Sequence, residues 1–501
     1  MALTSKLIVT DRPRMRAKYG QPGWAKIRAA VRELIAADRA RGIATRLVLI
    51  DGSRPERVKE RIDAAYAADR PPDYLMILGA PDVVVCAQLT NPLWTGDPDD
   101  DPDRVIASDL PYACDGAYTT NAAAYRGPSR VVGRLPDLVG ADTPTYLIAL
   151  IRRAARWKAL DVPRPIGVLA ISAQTWRRST QTSIAALSGA AGEVRTCPTG
   201  GPVWPAEAWA APLMFVNCHG RQLDPNWYGE RTAGQFSLPH AVDASALKGV
   251  VRPGCVVAAE CCYGTMHWDP SSAGGQPSVA LALLLEGAVG VFGSSTVAYG
   301  PPTGNSAADV ITRMFLEGVT GGASIGRAAL EARQRYVAHE VSLGPVDLKT
   351  LAQFDLLGDP SVHAVAPIIT DPDTPAHDAR RPPPGVERRR ATLLGTGISL
   401  DDTVGAVSEE PLARARITRT RFGREAGLTA NETAELRIRS FDVVEPDAGR
   451  PGARARGARA IAPSAERYHV AFVGRGRRRN VVVVRTEVGA PPSAQRLRPK
   501  R

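Results

Sequence analysis

The chain has 501 residues, 44% of them hydrophobic, and carries a formal net charge of +12 from 63 Lys and Arg against 51 Asp and Glu. That length is too great for one ordinary core, so two or three domains are expected, and the hydrophobic share is normal for a soluble globular protein. No uninterrupted apolar run approaches the ~20 residues of a membrane helix, and Met1–Asp11 runs straight into a strand-like segment without the apolar h-region of a signal peptide, so a cytoplasmic, non-membrane protein is expected.

In chain order, residues 1–370 alternate strand and helix signals. Lys6–Thr10 reads as an apolar strand and Trp24–Arg41 as a helix. Arg46–Ile50 is a second strand, Pro55–Ala68 a helix, and Tyr74–Leu78 a third strand stopping at Gly79. This βαβαβ rhythm implies a parallel sheet with helices on both faces. From Ala80 to about Pro136 the chain is loop-rich and contains the acidic run Asp97–Asp103. Such carboxylates can hold Ca²⁺ through hard oxygen ligands, but the spacing matches no recognised calcium loop, and a solvated loop is the plainer reading. A helix follows over Pro144–Leu160. A second α/β unit starts at Ile166–Ile171 and continues with a helix over Gln174–Leu187, two apolar strands, a helix at Val279–Leu285, a strand at Gly290–Thr296, and helices at Ala307–Glu317 and Ala323–Val337.

The character then changes. Asp371–Val386, rich in Pro and Asp, reads as a linker. Residues 371–501 hold 26 Lys and Arg against 16 acids, a net +10, which leaves 37 against 35 for residues 1–370. A basic partner surface therefore belongs to the tail. Within it, Tyr468–Val473 and Asn480–Arg485 flank a turn-like Gly474–Arg479 and suggest a hairpin, while Pro446–Pro463 reads as a flexible insert. The seven cysteines, an odd number lying mostly in apolar runs, indicate reduced thiols instead of a disulfide framework.

The two apolar strands of the second unit are the most informative. They are Leu213-Met-Phe-Val-Asn-Cys-His219-Gly220 and Cys255-Val-Val-Ala-Ala-Glu-Cys261-Cys262-Tyr-Gly264. Each ends in a reactive side chain closely followed by glycine. As neighbours in a parallel sheet they would deliver an imidazole and a thiol to the same carboxyl edge, where open α/β sheets bind ligands. A thiol beside an imidazole is the minimum for cysteine-nucleophile catalysis. Taken alone, such a histidine and such cysteines are more often core residues. A zinc site from Cys218, His219, Cys261 and Cys262 is disfavoured, because consecutive residues on a strand point in opposite directions.

Several segments, in order, resemble the gingipain-type cysteine peptidases, relatives of the caspases with the caspase–haemoglobinase fold. Ser108-Asp109 with Val132-Gly133-Arg134-Leu135-Pro136 is similar to the end of that family's first subdomain. His219-Gly220 is similar to its histidine motif, and Val256–Glu260 with Cys261-x-x-Gly264 to its nucleophile segment. Glu286–Ser295 and Phe354–Ser361 resemble the strand after the nucleophile helix and the closing motif. The resemblance implies an α/β fold of two tandem three-layer α/β/α subdomains with mostly parallel sheets, over residues 1–160 (contributing to the substrate pocket) and 161–368 (catalytic). A linker at 369–390 and a basic, partly β region at 391–501 would follow.

The activity implied is that of a cysteine endopeptidase without cofactor, cleaving protein substrates through His219 and Cys261, with the oxyanion held by backbone N–H of Gly220 and Cys261. A caspase-like Cys-x-Gly spacing would make Cys262 the nucleophile instead; the other cysteine would then face the core. Asp109 or Asp115 would orient the imidazole or line the specificity pocket, as a carboxylate from this region does in arginine-specific relatives, although a surface loop suits Asp115 equally. Trp227, Tyr228, His267 and Trp268 would line the cleft or simply pack. Secreted relatives carry a signal and a propeptide; with neither seen here, an intracellular protease restrained by a regulatory protein partner is expected. The alternative is a catalytically silent scaffold, binding a partner or nucleic acid through Arg388–Arg390 and Arg475–Arg479.

Overall fold

The computed structural model describes residues 4–188, 193–198, 203–235, 237–339, 343–367, 397–398, 421–434, 436–444, 466–474, 480–487 and 493–500. The linker 369–390, the insert Pro446–Pro463 and the basic runs Arg388–Arg390 and Arg475–Arg479 lie outside the described residues.

The first half supplies β1 (Thr4–Thr10), β2 (Ile43–Leu49), β3 (Tyr74–Leu78), a separate ladder of β4 (Ala87–Thr90) with β5 (Val105–Ser108), and β6 (Val131–Leu135). The second half supplies β7 (Val168–Ser172), β8 (Val194–Arg195), β9 (Leu213–Asn217), a small ladder of β10 (His219–Gly220), β11 (Asn226–Tyr228) and β12 (His240–Asp243), then β13 (Val256–Ala259), β14 (Gly290–Ser294), β15 (Tyr299–Gly300) and β16 (Phe354–Gly358). The main sheet has ten strands in the order β2-β1-β3-β6-β16-β14-β13-β9-β7-β8. Its inner strands β3, β6, β9, β13, β14 and β16 are buried along their whole length. That explains why they read as continuous apolar runs without alternation: helices cover both faces.

The expected α/β architecture with a mostly parallel sheet forms, and that sheet is continuous through both halves. β16 lies antiparallel to β14 and pairs with β6 in parallel through Leu357 and Arg134, so both halves share one sheet. The strands of the first half therefore run opposite to β7, β9, β13 and β14, and their carboxyl ends lie at the other edge. Buried ion pairs fasten the junction. Lys6 Nζ meets Asp38 at 2.5 Å, Asp359 at 2.7 Å and the hydroxyl of Ser361 at 3.0 Å. Within the first half, Arg134, fully buried, makes a bidentate pair with Asp109 at 2.6 and 2.8 Å. The first helix also begins earlier than its periodicity suggests, at Arg12, and runs to Ala40. Gly20 (φ 68°) and Pro22 interrupt it, and that interruption masks the leading turns in the sequence.

The C-terminal region adds β17 (Gly397–Ile398), β18 (Ile438–Val444), β19 (Glu466–Val473), β20 (Asn480–Glu487) and β21 (Ser493–Pro499), in an antiparallel sheet ordered β15-β21-β20-β19-β18-β17. Alternation splits its faces. Tyr468, Val470, Phe472, Val481, Val483 and Leu497 join the main core, while Ala471, Val473, Val482 and Val484 pack with Phe422 and Leu436. The hairpin segments pair with Tyr468 opposite Arg485 and Val473 opposite Asn480. This sheet is tied to the second half through β15, which belongs to the loop following β14.

Candidate active site

Strands β7, β9, β13 and β14 are parallel neighbours, so the segments leaving their carboxyl ends gather at one edge. β7 leads to Trp176, β9 ends in Asn217 and continues to His219, β13 leads to Glu260, Cys261 and Cys262, and β14 leads to Ala298. These segments form a single cleft.

The imidazole of His219 stacks obliquely against Trp176, with ring centroids 4.7 Å apart, and its Nε2 lies 3.2 Å from Glu230 Oε1. An ionised carboxylate only accepts, so in the neutral ring Nε2 carries the proton and Nδ1 keeps its lone pair. Nδ1 is buried and has no hydrogen-bond partner among the described residues. Glu230 also accepts from the backbone N–H of Thr175 at 2.7 Å. Burial disfavours its charge, but the bonds from His219 and Thr175 prevail and hold its carboxyl below the usual range.

The two cysteines, both buried just beyond the end of β13, have different neighbours. Cys261 points inward beside Cys218; burial first, and that second thiol next, push its own thiol well up, which keeps it protonated. Cys262 Sγ receives the N–H of Ala298 at 3.3 Å. Tyr263 follows in the left-handed region (φ 56°), a conformation that costs a side-chain-bearing residue about 1–2 kcal/mol. Its hydroxyl is held by Asp103 at 3.0 Å, and Asp103 also accepts from Val297 N at 2.8 Å. Asp101 accepts from Tyr299 and Lys349. The acidic run thus props the loops around the cleft instead of gathering on a cation: among the described residues no cluster of three or more His, Cys, Asp or Glu is placed to hold a metal.

The cleft is occupied by the chain itself. β21 pairs antiparallel with β15, with Pro499 opposite Tyr299 and Arg498 opposite Gly300, and Lys500 N donates to Ala298 O at 2.9 Å. The carbonyl oxygen of Lys500 then accepts from two converging amides, Gly220 N at 2.9 Å and Cys262 N at 3.3 Å. Gly220 has to be glycine, because a Cβ there would lie 2.0 Å from the Cys262 carbonyl oxygen. The Lys500 side chain, fully buried, ends in a polar pocket. Its Nζ meets Glu260 Oε2 at 2.6 Å, Asn217 Oδ1 at 2.6 Å and Asp309 Oδ1 at 3.0 Å, with the Trp176 ring centroid 5.3 Å away. Asp309 stands in the first turn of the helix Ala308–Thr320, and Thr312 of that helix donates to Glu260 Oε1 at 2.6 Å.

Several of the expected residues lie in other surroundings. The amide that joins that of Gly220 on the Lys500 carbonyl is that of Cys262, one residue beyond Cys261. The carboxylates at the imidazole and at the ammonium are Glu230, Glu260 and Asp309, not Asp109 or Asp115. Both Asp109 oxygens are held by Arg134, and Asp115 is paired with Arg130 at 2.7 Å and Ser129 at 3.1 Å. The physical reason is that each carboxylate is already taken up by an arginine of its own half. Trp227 and Tyr228 pair with Gly220 and His219 across β10 and β11. His267 lines a neighbouring cavity of about 370 Å³ with Asp109, Arg134, Tyr263 and Asp355, and Trp268 donates to Gln276 O at 3.0 Å. The sequence did hold a signal for Glu260, a lone acid inside an apolar run, where an ionisable group persists only with a partner. Nothing comparable marks Glu230 or Lys500.

Residues 223–365 match the model of peptidase family C25, a family of cysteine endopeptidases. The matched span holds Glu260, Cys261, Cys262 and Asp309 and begins four residues after His219. No curated protein matches the chain.

Proposed function

We propose that this chain, which belongs to peptidase family C25 over residues 223–365, is an endopeptidase cutting on the carboxyl side of lysine, with Cys262 as nucleophile and His219 as proton carrier. The observation that carries this reading is the convergence of Gly220 N–H and Cys262 N–H on one carbonyl oxygen, directly beside the residues bearing the imidazole and the thiol. That is the arrangement an oxyanion hole requires, and each such donor is worth about 10²–10³ in kcat.

Nδ1 of His219, unprotonated and unpartnered, takes the Cys262 proton. The thiolate adds to the carbonyl carbon, and the developing oxyanion is held by the two amides. Glu230 stabilises the imidazolium, which then protonates the departing amine; water hydrolyses the thioester through the reverse proton path. Specificity comes from three acceptors, Glu260, Asn217 and Asp309, that match the three N–H of an ammonium. The planar fork of a guanidinium does not match a tripod closed around one nitrogen.

The test uses fluorogenic peptides presenting lysine, arginine or aspartate before the reporter. Turnover of the lysyl peptide, lost in Cys262→Ala and His219→Ala and kept in Cys261→Ala, is the expected result. Activity lost in Cys261→Ala and kept in Cys262→Ala overturns the assignment of the nucleophile. Absence of turnover on all three peptides, in a chain whose Cys262 labels no faster than its other thiols, overturns the peptidase reading.

A further inference from the structure

The strand that fills the cleft is held through its main chain in the manner of a bound peptide. It runs antiparallel to the cleft-lip strand β15, its Lys500 N–H is bonded to the Ala298 carbonyl, and its Lys500 carbonyl sits on the two amides of Gly220 and Cys262. Its side chain is bound by Glu260, Asp309 and Asn217. The bond that follows this carbonyl is Lys500–Arg501. Upstream, Leu497 is buried and β21 is held along five residue pairs to β20, so the strand arrives at the cleft from a folded sheet. Gln495 donates to Ser306, beside the cleft-lip loop.

We propose that Ser493–Lys500 is an intramolecular substrate: it occupies the cleft in competition with outside peptides, and the same site cleaves its Lys500–Arg501 bond. This rests on the reading of the site as a lysine-directed cysteine peptidase. In the step itself, Cys262 Sγ bonds to the Lys500 carbonyl carbon while its proton passes to His219 Nδ1. The C–N bond to Arg501 breaks as that proton is handed to the leaving nitrogen. One water then cleaves the thioester, leaving a carboxylate on Lys500 and a free thiol on Cys262, with no change in oxidation state. The product end stays in the pocket because β21 keeps it tethered, and a tethered ligand acts at an effective concentration in the millimolar range.

Two measurements on the full chain test this. Intact-mass analysis of wild type is expected to show the chain ending at Lys500, and of Cys262→Ala to show Arg501 retained. Separately, a fluorescein-labelled peptide with the sequence of residues 494–500 is titrated by anisotropy into Cys262→Ala and into Cys262→Ala/Lys500→Ala. Lys500 lies beyond the β20–β21 ladder, so the second substitution leaves the sheet intact. The double variant is expected to bind the peptide at least about 10-fold more tightly, since the competitor has lost its anchoring side chain. Equal affinity in the two variants overturns the proposal. So does a wild-type chain that keeps Arg501 while it cleaves an external lysyl peptide. Should no variant turn over any peptide, the peptidase reading falls, and the binding comparison, which needs no catalysis, still decides whether the strand sits in the cleft.

Discussion

Replacing Glu260 by glutamine removes one charge from the lysine pocket and leaves its shape. The carboxylate lies 2.6 Å from the bound ammonium, both groups are fully buried, and its other oxygen is fixed by Thr312. Truncating one partner of a buried, hydrogen-bonded charge pair costs about 2–5 kcal/mol. Asp309 at 3.0 Å and Asn217 at 2.6 Å remain to share the ammonium, so the lower part of that range applies. About 2–3 kcal/mol corresponds to a fall of about 30- to 150-fold in kcat/KM for lysyl peptides. The measurement belongs in a Lys500→Ala background, where the internal strand does not hold the pocket, and compares a lysyl peptide with one carrying the uncharged norleucine. The norleucyl peptide is expected to change by less than about 3-fold, because it never used the charge. Equal losses on both peptides would mean that Glu260 supports the fold and not the specificity, and would refute the pocket. The pH dependence adds a second readout. Burial, then the neighbouring Asp309, raise the Glu260 carboxyl well above its ordinary value, against the pull of the Lys500 ammonium. Lysyl kcat/KM should therefore fall on acidification at a pH above the usual glutamate value of about 4.3, and Glu260→Gln should remove that limb.

Three further outcomes are expected. A Cβ at Gly300 would lie 2.6 Å from Lys500 Cε and 2.8 Å from Nζ, so Gly300→Ala, again with Lys500→Ala, should cut lysyl kcat/KM by about 5- to 150-fold for an overlap of about 1–3 kcal/mol, and spare peptides with alanine at that position. Glu230→Gln should lower kcat by about 10- to 100-fold, part of what general acid–base catalysis supplies, with KM unchanged; an unchanged kcat would remove Glu230 from the machinery. Burial, aided by the Arg134 guanidinium, pushes His267 from 6.5 down to about 3 in the folded chain. The unfolded chain thus binds a proton that the folded one refuses, and stability present above about pH 6.5 is lost as pH falls toward 3. Urea unfolding of His267→Gln should show a shallower decline over that window, and an identical decline would refute the assignment.

Much of this molecule could be read from its residues because its inner strands are buried on both faces. Leu213–Asn217 and Val256–Ala259 stand out as apolar runs closed by reactive side chains, and their adjacency in the sheet needed only the crossover rule for parallel strands. Three things could not be read. The joining of the two halves depends on β16, whose apolar run Phe354–Gly358 gives no hint that it lies between β6 and β14, antiparallel to one and parallel to the other. The choice between Cys261 and Cys262 depends on where the strand stops and on the left-handed turn at Tyr263, a backbone property that glycine spacing reports only indirectly. The carboxylate on His219 comes from Glu230, brought back by the β10–β11 ladder, a pairing of two or three residues too short to leave a periodicity. The basic tail showed its charge plainly, yet the residue that reaches the site, Lys500, is one cation among many there and is distinguished only by where β21 delivers it.

The position of β16 also sets a timetable for synthesis. When β6 leaves the ribosome, its partner on one side is already present as β3, but the other side stays unpaired until Phe354–Gly358 emerges about 220 residues later, roughly 10–45 s at ordinary elongation rates. Throughout that interval a nascent chain displays a bare, apolar Val131–Leu135 edge, the kind of template on which neighbouring polypeptides on a polysome can add strands. Residues 1–160 made alone would keep that edge permanently, so a fragment cut at the apparent boundary should be recovered as aggregate, whereas the full chain should stay dispersed.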